Sequence, residues 1–520
     1  MRVACIQTRS FDLIQYKEAL HYMLDQIDEA AKLNPNLIVL PECTYPSYYL
    51  GSNENTLHEA MELVDDVIDS VQYKAVKYNV YVAFGIVVKE NERLFNRGIL
   101  IDPNGDIATH VNKSFMWHFD SDWFSTDECE AIIDTPYGKW GLIICADGRM
   151  PELVRKLAMQ GVDLVIDLAN LTSTGKYKEQ LTNAQSNFML STRALENNVW
   201  LVMADKVGVE ARTVTYSGRS SIIAPNGNII SEASAHLEEI IHAEIDVTNR
   251  PSNLPLRRPT TYHTIIEQTE NLPYTQIEKQ EIIPSKLVIQ GSSVQFHYGN
   301  KTEYIKQAHY FIRTLEKQLS DVIVLPHSSF TIHPSDIQAT LTKEETLVFF
   351  STTEKNALTL YAVTKHTISS YGKVHLTEEE ESLNYQSGRN YNVIETTKGN
   401  IGLMLGEDGL FPEVARILSL HGADCIVWIN EMEPSIQEKV ARTRAAENKV
   451  FILTSSQLNT FDTSSMIIDP NGGILAATLK NSEQACSTQI PLVLSRCKDI
   501  VPKTNAILGR TPEKYYKLLS

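Results

Sequence analysis

Cysteine is scarce in this chain: seven in 520 residues, an odd number, with no Cys-x-x-Cys pair. That argues against a disulfide framework and a zinc site, and no metal or other cofactor is expected. Positive charge is in deficit too. The net charge of −17 works against electrostatic capture of nucleic acid or of an anionic membrane. No run of about 20 apolar residues is present, so no membrane-spanning helix is expected. The first residues, Met1 to Gln7, turn polar quickly and lack the long apolar core of a signal peptide. The cytoplasm is the expected compartment. What is present is an ordinary 43% of hydrophobic residues, enough for a sizeable core. The length suits about two to four domains.

The chain runs twice through one pattern. Leu40-Pro41-Glu42, after an apolar run, matches Leu325-Pro326-His327. The stretch Gly141 to Glu152 matches Gly402 to Glu413. Arg193-Ala194-Leu195-Glu196-Asn197 matches Arg444-Ala445-Ala446-Glu447-Asn448, and Pro225-Asn226-Gly227 matches Pro470-Asn471-Gly472. The order is the same in both halves, and the offset shrinks along the chain, so the second copy is shorter. Two copies of a unit this long mean two domains rather than a solenoid. The expected domains are residues 1–275 and 283–520. The polar, Pro-punctuated stretch between Glu267 and Pro284 reads as their boundary, and Lys286 to Ile289 starts a new strand.

Within each half, apolar strand-like runs alternate with helical spacing. Arg2 to Gln7, Leu37 to Pro41, Val80 to Lys89, Trp140 to Cys145, Leu164 to Leu168 and Trp200 to Ala204 read as strands. Residues 15–33, 57–78, 150–160 and 177–198 read as helices. Asp102-Pro103-Asn104-Gly105 is turn chemistry. This alternation implies the α/β class.

One segment carries the strongest chemical signal. Gly141-Leu142-Ile143-Ile144 delivers Cys145 to the end of a strand, and Asp147-Gly148 and Pro151-Glu152 then turn the chain into a helix. Amides at such a turn favour a thiolate and can bind an oxyanion, which makes Cys145 a candidate nucleophile. Asn170 follows another strand end, where pockets gather. Arg193, Glu196 and Asn197 read as a buried helix network. His118 and His327 have no expected chemical role.

Taken together, Leu40-Pro41-Glu42, the hairpin Phe95 to Gly105 leading to Lys113, and Gly-Leu-x-Ile-Cys-x-Asp ending in Pro-Glu resemble the nitrilase, or carbon–nitrogen hydrolase, superfamily, twice over. The resemblance implies a four-layer αββα sandwich in each half, paired within the chain as a pseudo-dimer, with further homo-oligomers open. It implies a Glu42, Lys113, Cys145 triad, with the backbone N–H of Ala146 completing the oxyanion site. The family's second Glu is missing between Lys113 and Trp123; Asp120 or Asp122 is its candidate replacement. Trp117 and Trp123 are candidate pocket walls. In the second half His327 and Gly406 stand where Glu42 and Cys145 stand in the first, while Lys373 survives. That half is expected to be a pseudo-enzyme. The implied substrate is a small linear amide or N-carbamoyl compound. Nitrile or cyanide hydrolysis and a non-catalytic binding or scaffold role are the alternatives.

Overall fold

A computed structural model describes residues 1–520 apart from 52, 128–129, 176, 249, 251–255, 279–287 and 459–462. It divides into two compact units: Met1–Ser252 with Val501–Thr504, and Asn253–Ile500 with Asn505–Ser520. The division therefore falls ahead of the 275–283 junction read from the sequence. Residues 279–283 of that junction, and Lys286 and Leu287 of the expected new strand, lie outside the described residues. The stretch before it is no free linker. Leu272 and Tyr274 bury with Leu420 and Ile507. The Tyr262 hydroxyl lies 2.6 Å from His375 Nε2, and Arg257 donates to Glu413 at 3.2 Å. Its composition is that of a loop, but its few aromatic and arginine side chains tie it to the second unit.

The first unit is built on two sheets. One runs in the order Lys206–Val207, Arg2–Arg9, Leu37–Val39, Tyr81–Glu90, Arg93–Ile101, Ile107–Asn112, with Glu239–Glu244 also paired to Arg2–Arg9. The other runs Ile229–Glu232, Ser221–Ile223, Trp200–Ala204, Leu164–Leu168, Gly138–Ile144, Ala131–Thr135. Side chains alternate across a strand, and the burial follows that period. Val3, Cys5, Leu37, Val39 and Ala83 turn inward and share a core with Trp140, Leu142, Leu164 and Val165 of the second sheet. Their neighbours Ala4, Ile6, Ile38, Leu40 and Val82 turn outward onto Met23 and Ile27 of helix Tyr16–Ala31 and Val67 and Val71 of helix Val64–Tyr78. Helices Pro151–Met159 and Leu190–Asn197 cover the second sheet with Val154, Leu157, Leu190 and Ala194. The result is helix, sheet, sheet, helix.

Two of the expected helices differ. The one expected over 57–78 breaks at Leu63 into Glu54–Glu62 and Val64–Tyr78. The one expected over 177–198 is a short 3-10 turn at Lys178–Gln180, then a π-turn at Gln185–Met189, and an α-helix only at Leu190–Asn197. Apolar spacing cannot show this, because polar bonds set it. Asn183 accepts from Gln185 N at 2.8 Å, and the Gln185 amide donates to Cys145 O at 2.8 Å. Such π-turns gather at functional sites.

The second unit repeats the plan. One sheet runs Ile368–Gly372, Ala357–Val363, Leu347–Glu354, Val322–Ser328, Val288–Gln295, Gln484–Pro491. The other runs Val393–Thr396, Gly399–Leu405, Cys425–Ile429, Phe451–Ser455, Met466–Ile468, Ile474–Ala477. Among the described residues, no helix is long and apolar enough to cross a membrane.

Candidate active site

In the first unit, strand Gly138–Ile144 ends at Cys145, which opens a 3-10 turn over Cys145–Arg149. Cys145 has φ +51°, the left-handed region that a residue with a Cβ enters only at a cost of about 1–3 kcal/mol. The surroundings impose it. Its N–H donates to Asp167 Oδ1 at 2.7 Å, and Gln185 holds its carbonyl. Asp147, two residues on, accepts from Ile144 N at 3.1 Å and from Phe115 N at 2.7 Å. It thereby ties the turn to the loop after Lys113. Arg193 donates to Gly148 O at 3.0 Å and to Glu196 Oε1 at 2.6 Å with both side chains fully buried, so this pair braces the turn from behind. Ala146 lies buried next to Cys145.

Glu42 and Lys113 arrive from the other sheet. Gly85 is required there, because a Cβ on it would come within 2.5 Å of the Glu42 Cα. Both Glu42 and Lys113 are wholly buried, and Lys113 Nζ lies 2.7 Å from Glu42 Oε1. Asn96 Nδ2 donates to the same oxygen at 2.5 Å. Glu42 Oε2 is buried with no hydrogen-bond partner among the described residues.

Asp120 and Asp122 part company. Asp120 is wholly buried, with Oδ2 2.8 Å from Lys113 Nζ. Its Oδ1 accepts from the Tyr48 hydroxyl at 2.6 Å, and its Oδ2 from Trp117 N at 2.9 Å. Asp122 lies about half exposed on the far side of the same helical turn and pairs with Lys503 at 2.6 Å. Asp120 therefore stands on the lysine and Asp122 does not. The second unit has Glu380 on Lys373 at 2.6 Å, a full-length carboxylate at the same distance along the sequence from its lysine as Asp120 from Lys113.

The aromatic candidates also separate. Trp117 lies under the Arg149 guanidinium, 5.2 Å from its ring centre, and its backbone N–H holds Asp120. Trp123 is packed against Tyr49 and Phe119, with ring centres 5.0 and 4.9 Å away. Asn170 is buried with neither side-chain polar atom hydrogen-bonded among the described residues. Tyr48, Asn96, Asp167 and Gln185 were not singled out from the sequence. Asp167, a lone acid inside the apolar run Leu164–Leu168, and Asn96, in a buried strand, carried the signal of polar groups that need partners.

Burial dominates the electrostatics of the site. Burial pushes the Cys145 thiol well above its ordinary value, the Glu42 charge pushes it further, and Lys113 only partly offsets them. Burial likewise raises the Glu42 carboxyl above the usual carboxylate range, against the lowering effect of Lys113 and with the help of Asp120. Burial alone would pull the Lys113 ammonium down, but Asp120 and Glu42 outweigh it and hold it charged. Among the described residues, no group of three or more His, Cys, Asp or Glu is arranged to hold a metal ion.

The carbon-nitrogen hydrolase family model matches residues 2–250 and again 292–497. This chain belongs to the carbon–nitrogen hydrolase family. It is similar to a probable nitrilase of Schizosaccharomyces pombe, 28% identical over 51% of this chain and 94% of the relative. It is also similar to an omega-amidase of Xenopus laevis, 27% identical over 45% of this chain and 85% of the relative. Among solved structures, an amidase from Nesterenkonia sp. matches at 20% identity with a TM-score of 0.42, covering 48% of this chain and 93% of that one.

The chain carries the family's fold twice, and the two copies differ at the positions of Glu42 and Cys145. In the second unit Gly406 keeps the left-handed turn with φ +55°. A Cβ there would meet Lys373 Cε at 3.1 Å and Nζ at 3.2 Å, so the lysine leans into the thiol's place. Glu407 and Glu380 both hold that lysine. His327, in the position of Glu42, bonds Ser351 Oγ at 3.0 Å through Nδ1. Burial and the Lys373 charge lower its pKa to about 4, which keeps it neutral. Arg444 still braces the turn through Gly409 O at 2.9 Å.

Proposed function

We propose that the first unit hydrolyses the C–N bond of a small linear amide or N-carbamoyl compound through a thioester on Cys145, and that the second unit is not hydrolytic. The observation that carries this reading is the buried cluster of Glu42, Lys113 and Asp120, with the Glu42 and Lys113 charges both bearing on a strand-end thiol. Glu42 Oε2, with no other bond to make, takes the thiol proton as sulfur attacks the carbonyl carbon. Lys113 Nζ and the Ala146 N–H stabilise the oxyanion. The C–N bond breaks, Glu42 returns the proton to the leaving nitrogen, and ammonia departs. Water then gives its proton to Glu42, attacks the thioester carbonyl, and releases the acid and the thiol. Asp120 fills the place of the family's second Glu by holding Lys113 charged and fixed. The unpartnered Asn170 amide and the Trp117 ring are the groups left to meet substrate.

The residues after the nucleophile, Ala146-Asp147, differ from the Trp-Glu of nitrilases proper, and the omega-amidase relatives support an amide. Nitrile hydrolysis is the second reading, favoured by the relatives named nitrilases. A screen for ammonia release across linear amides, carbamoyl amino acids and nitriles, with Cys145→Ala as control, tests both. Turnover by the wild type on amides or carbamoyl compounds supports the first reading. Turnover on nitriles alone replaces it, and turnover by Cys145→Ala rejects the chemistry.

A further inference from the structure

The loop that carries Asp120 is held at its turn by a residue from far along the chain. Asp147 anchors the loop's start at Ser114 N and Phe115 N, 3.1 and 2.7 Å away. Ser125 N returns to Leu94 O at 2.8 Å and ties its end to the sheet. Between these anchors the chain turns at His118, which has φ +51° without being glycine. A left-handed non-glycine residue persists only where its surroundings over-determine it. Here the constraint is Thr504, a residue of the first unit and almost wholly buried. Its hydroxyl oxygen accepts from His118 N at 2.7 Å, and its hydrogen points to Met116 O at 3.4 Å. One hydroxyl thus bridges the backbone groups on either side of Trp117. Trp117 N donates to Asp120 Oδ2, the oxygen that lies on Lys113. Next to Thr504, Lys503 grips Asp122 through both oxygens at 2.6 and 2.7 Å.

From this path we infer that Thr504 is a positioning residue for the catalytic centre. It sets the turn at His118, and through Trp117 N it fixes Asp120 and hence Lys113. It acts through other groups and touches no substrate. A hydroxyl is needed because the turn presents one donor and one acceptor to a single side chain. Valine has the same shape and can satisfy neither. Serine keeps both bonds. The Lys503–Asp122 pair is solvent-facing and contributes little by itself.

The inference rests on the proposed thioester chemistry, so Cys145→Ala is run alongside. The test compares Thr504→Val and Thr504→Ser in the full chain, with kcat and KM for ammonia release from the best amide of the screen. It adds the rate of Cys145 alkylation by iodoacetamide against pH, read by peptide mapping, which needs no substrate. Small displacements of catalytic groups cost about 10- to 100-fold in rate. The expected result for Thr504→Val is a kcat lowered by that factor with KM within about twofold, and a displaced alkylation profile. Thr504→Ser should stay within about threefold of wild type in rate and melt as the wild type does; Thr504→Val, which leaves the His118 N–H without its partner, should melt somewhat lower but stay folded at the assay temperature. Unchanged kcat in Thr504→Val overturns the inference, and so does an equal loss in Thr504→Ser or a loss accounted for by the fraction of Thr504→Val unfolded at the assay temperature. Turnover by Cys145→Ala refutes the chemistry itself. An inactive Cys145→Ala beside a fully active Thr504→Val refutes the positioning role alone.

Discussion

Replacing Asp120 by Asn tests the least familiar part of this site. Two carboxylates share Lys113, at 2.7 Å from Glu42 and 2.8 Å from Asp120. Asparagine keeps the shape and can still accept from the Tyr48 hydroxyl or Trp117 N. Its amide donor can then face the ammonium, donor against donor, inside a buried site. At an effective dielectric constant of about 20, opposite charges at that separation attract by about 6 kcal/mol. The relieved desolvation of Asp120 offsets part of this. Breaking one side of a buried pair typically costs about 3–5 kcal/mol, and the remaining Glu42 partner puts this case at the low end. About 3 kcal/mol expressed in the transition state is roughly a 100-fold loss in kcat. A second effect has a definite sign. The Asp120 charge helps raise the Glu42 carboxyl, so its removal should move the acid limb of kcat/KM to lower pH. Asp122→Asn removes only a half-exposed pair and should cost no more than a few-fold. The assay is ammonia release against pH for the three proteins. An Asp120→Asn enzyme within a few-fold of wild type, or a larger loss in Asp122→Asn, would refute the assignment.

Glu42→Gln and Lys113→Met should each lower kcat by ~100–1,000-fold or more while the protein stays folded; a few-fold change in steady-state assays removes the residue from its role. The wild-type acid limb should lie above the ordinary carboxylate range, because burial raises Glu42 and the base must be ionised to act; a limb within that range counts against Glu42 as base. Lys498 is buried in the second unit, where it donates to Asn448 O and Lys449 O at 3.0 Å each. Burial lowers its pKa to about 7 despite the Asp424 charge. Folding therefore favours the neutral amine. The associated stability is fully present above the unfolded lysine value of about 10.4 and is lost as pH falls toward 7, by up to about 5 kcal/mol. Denaturant melts should show Lys498→Met flattening that rise, and parallel wild-type and variant curves would show that the amine stays charged.

The framework of both units was legible because it depends on local period. Val3 and Ala4, or Ile38 and Val39, differ in the face they present, and burial follows the alternation. Glu42, Lys113 and Cys145 were legible because each sits at or just after a strand end, where a short motif fixes its place. The choice between Asp120 and Asp122 was not. The two are neighbours on one helical turn, and only the Tyr48 hydroxyl and Trp117 N–H decide which carboxylate points inward. Thr504 stands 386 residues from the His118 amide it holds, and no spacing rule reaches that far. The polar stretch from Glu267 reads as a boundary by composition, and its Leu272 and Tyr274 side chains are buried with Leu420 and Ile507.

The central claim is that Cys145 carries the acyl group. Rapid acid quench of the full chain turning over an amide, followed by mass spectrometry of the peptide spanning Gly141 to Glu152, tests it directly. The account predicts the mass of the substrate's acyl group on Cys145 during wild-type turnover, strongly diminished in Glu42→Gln, whose carboxylate is needed to form the thioester as well as to clear it, and absent in Cys145→Ala. Sustained turnover with that peptide unmodified at every time point, or the acyl group on another of the chain's cysteines, would contradict it.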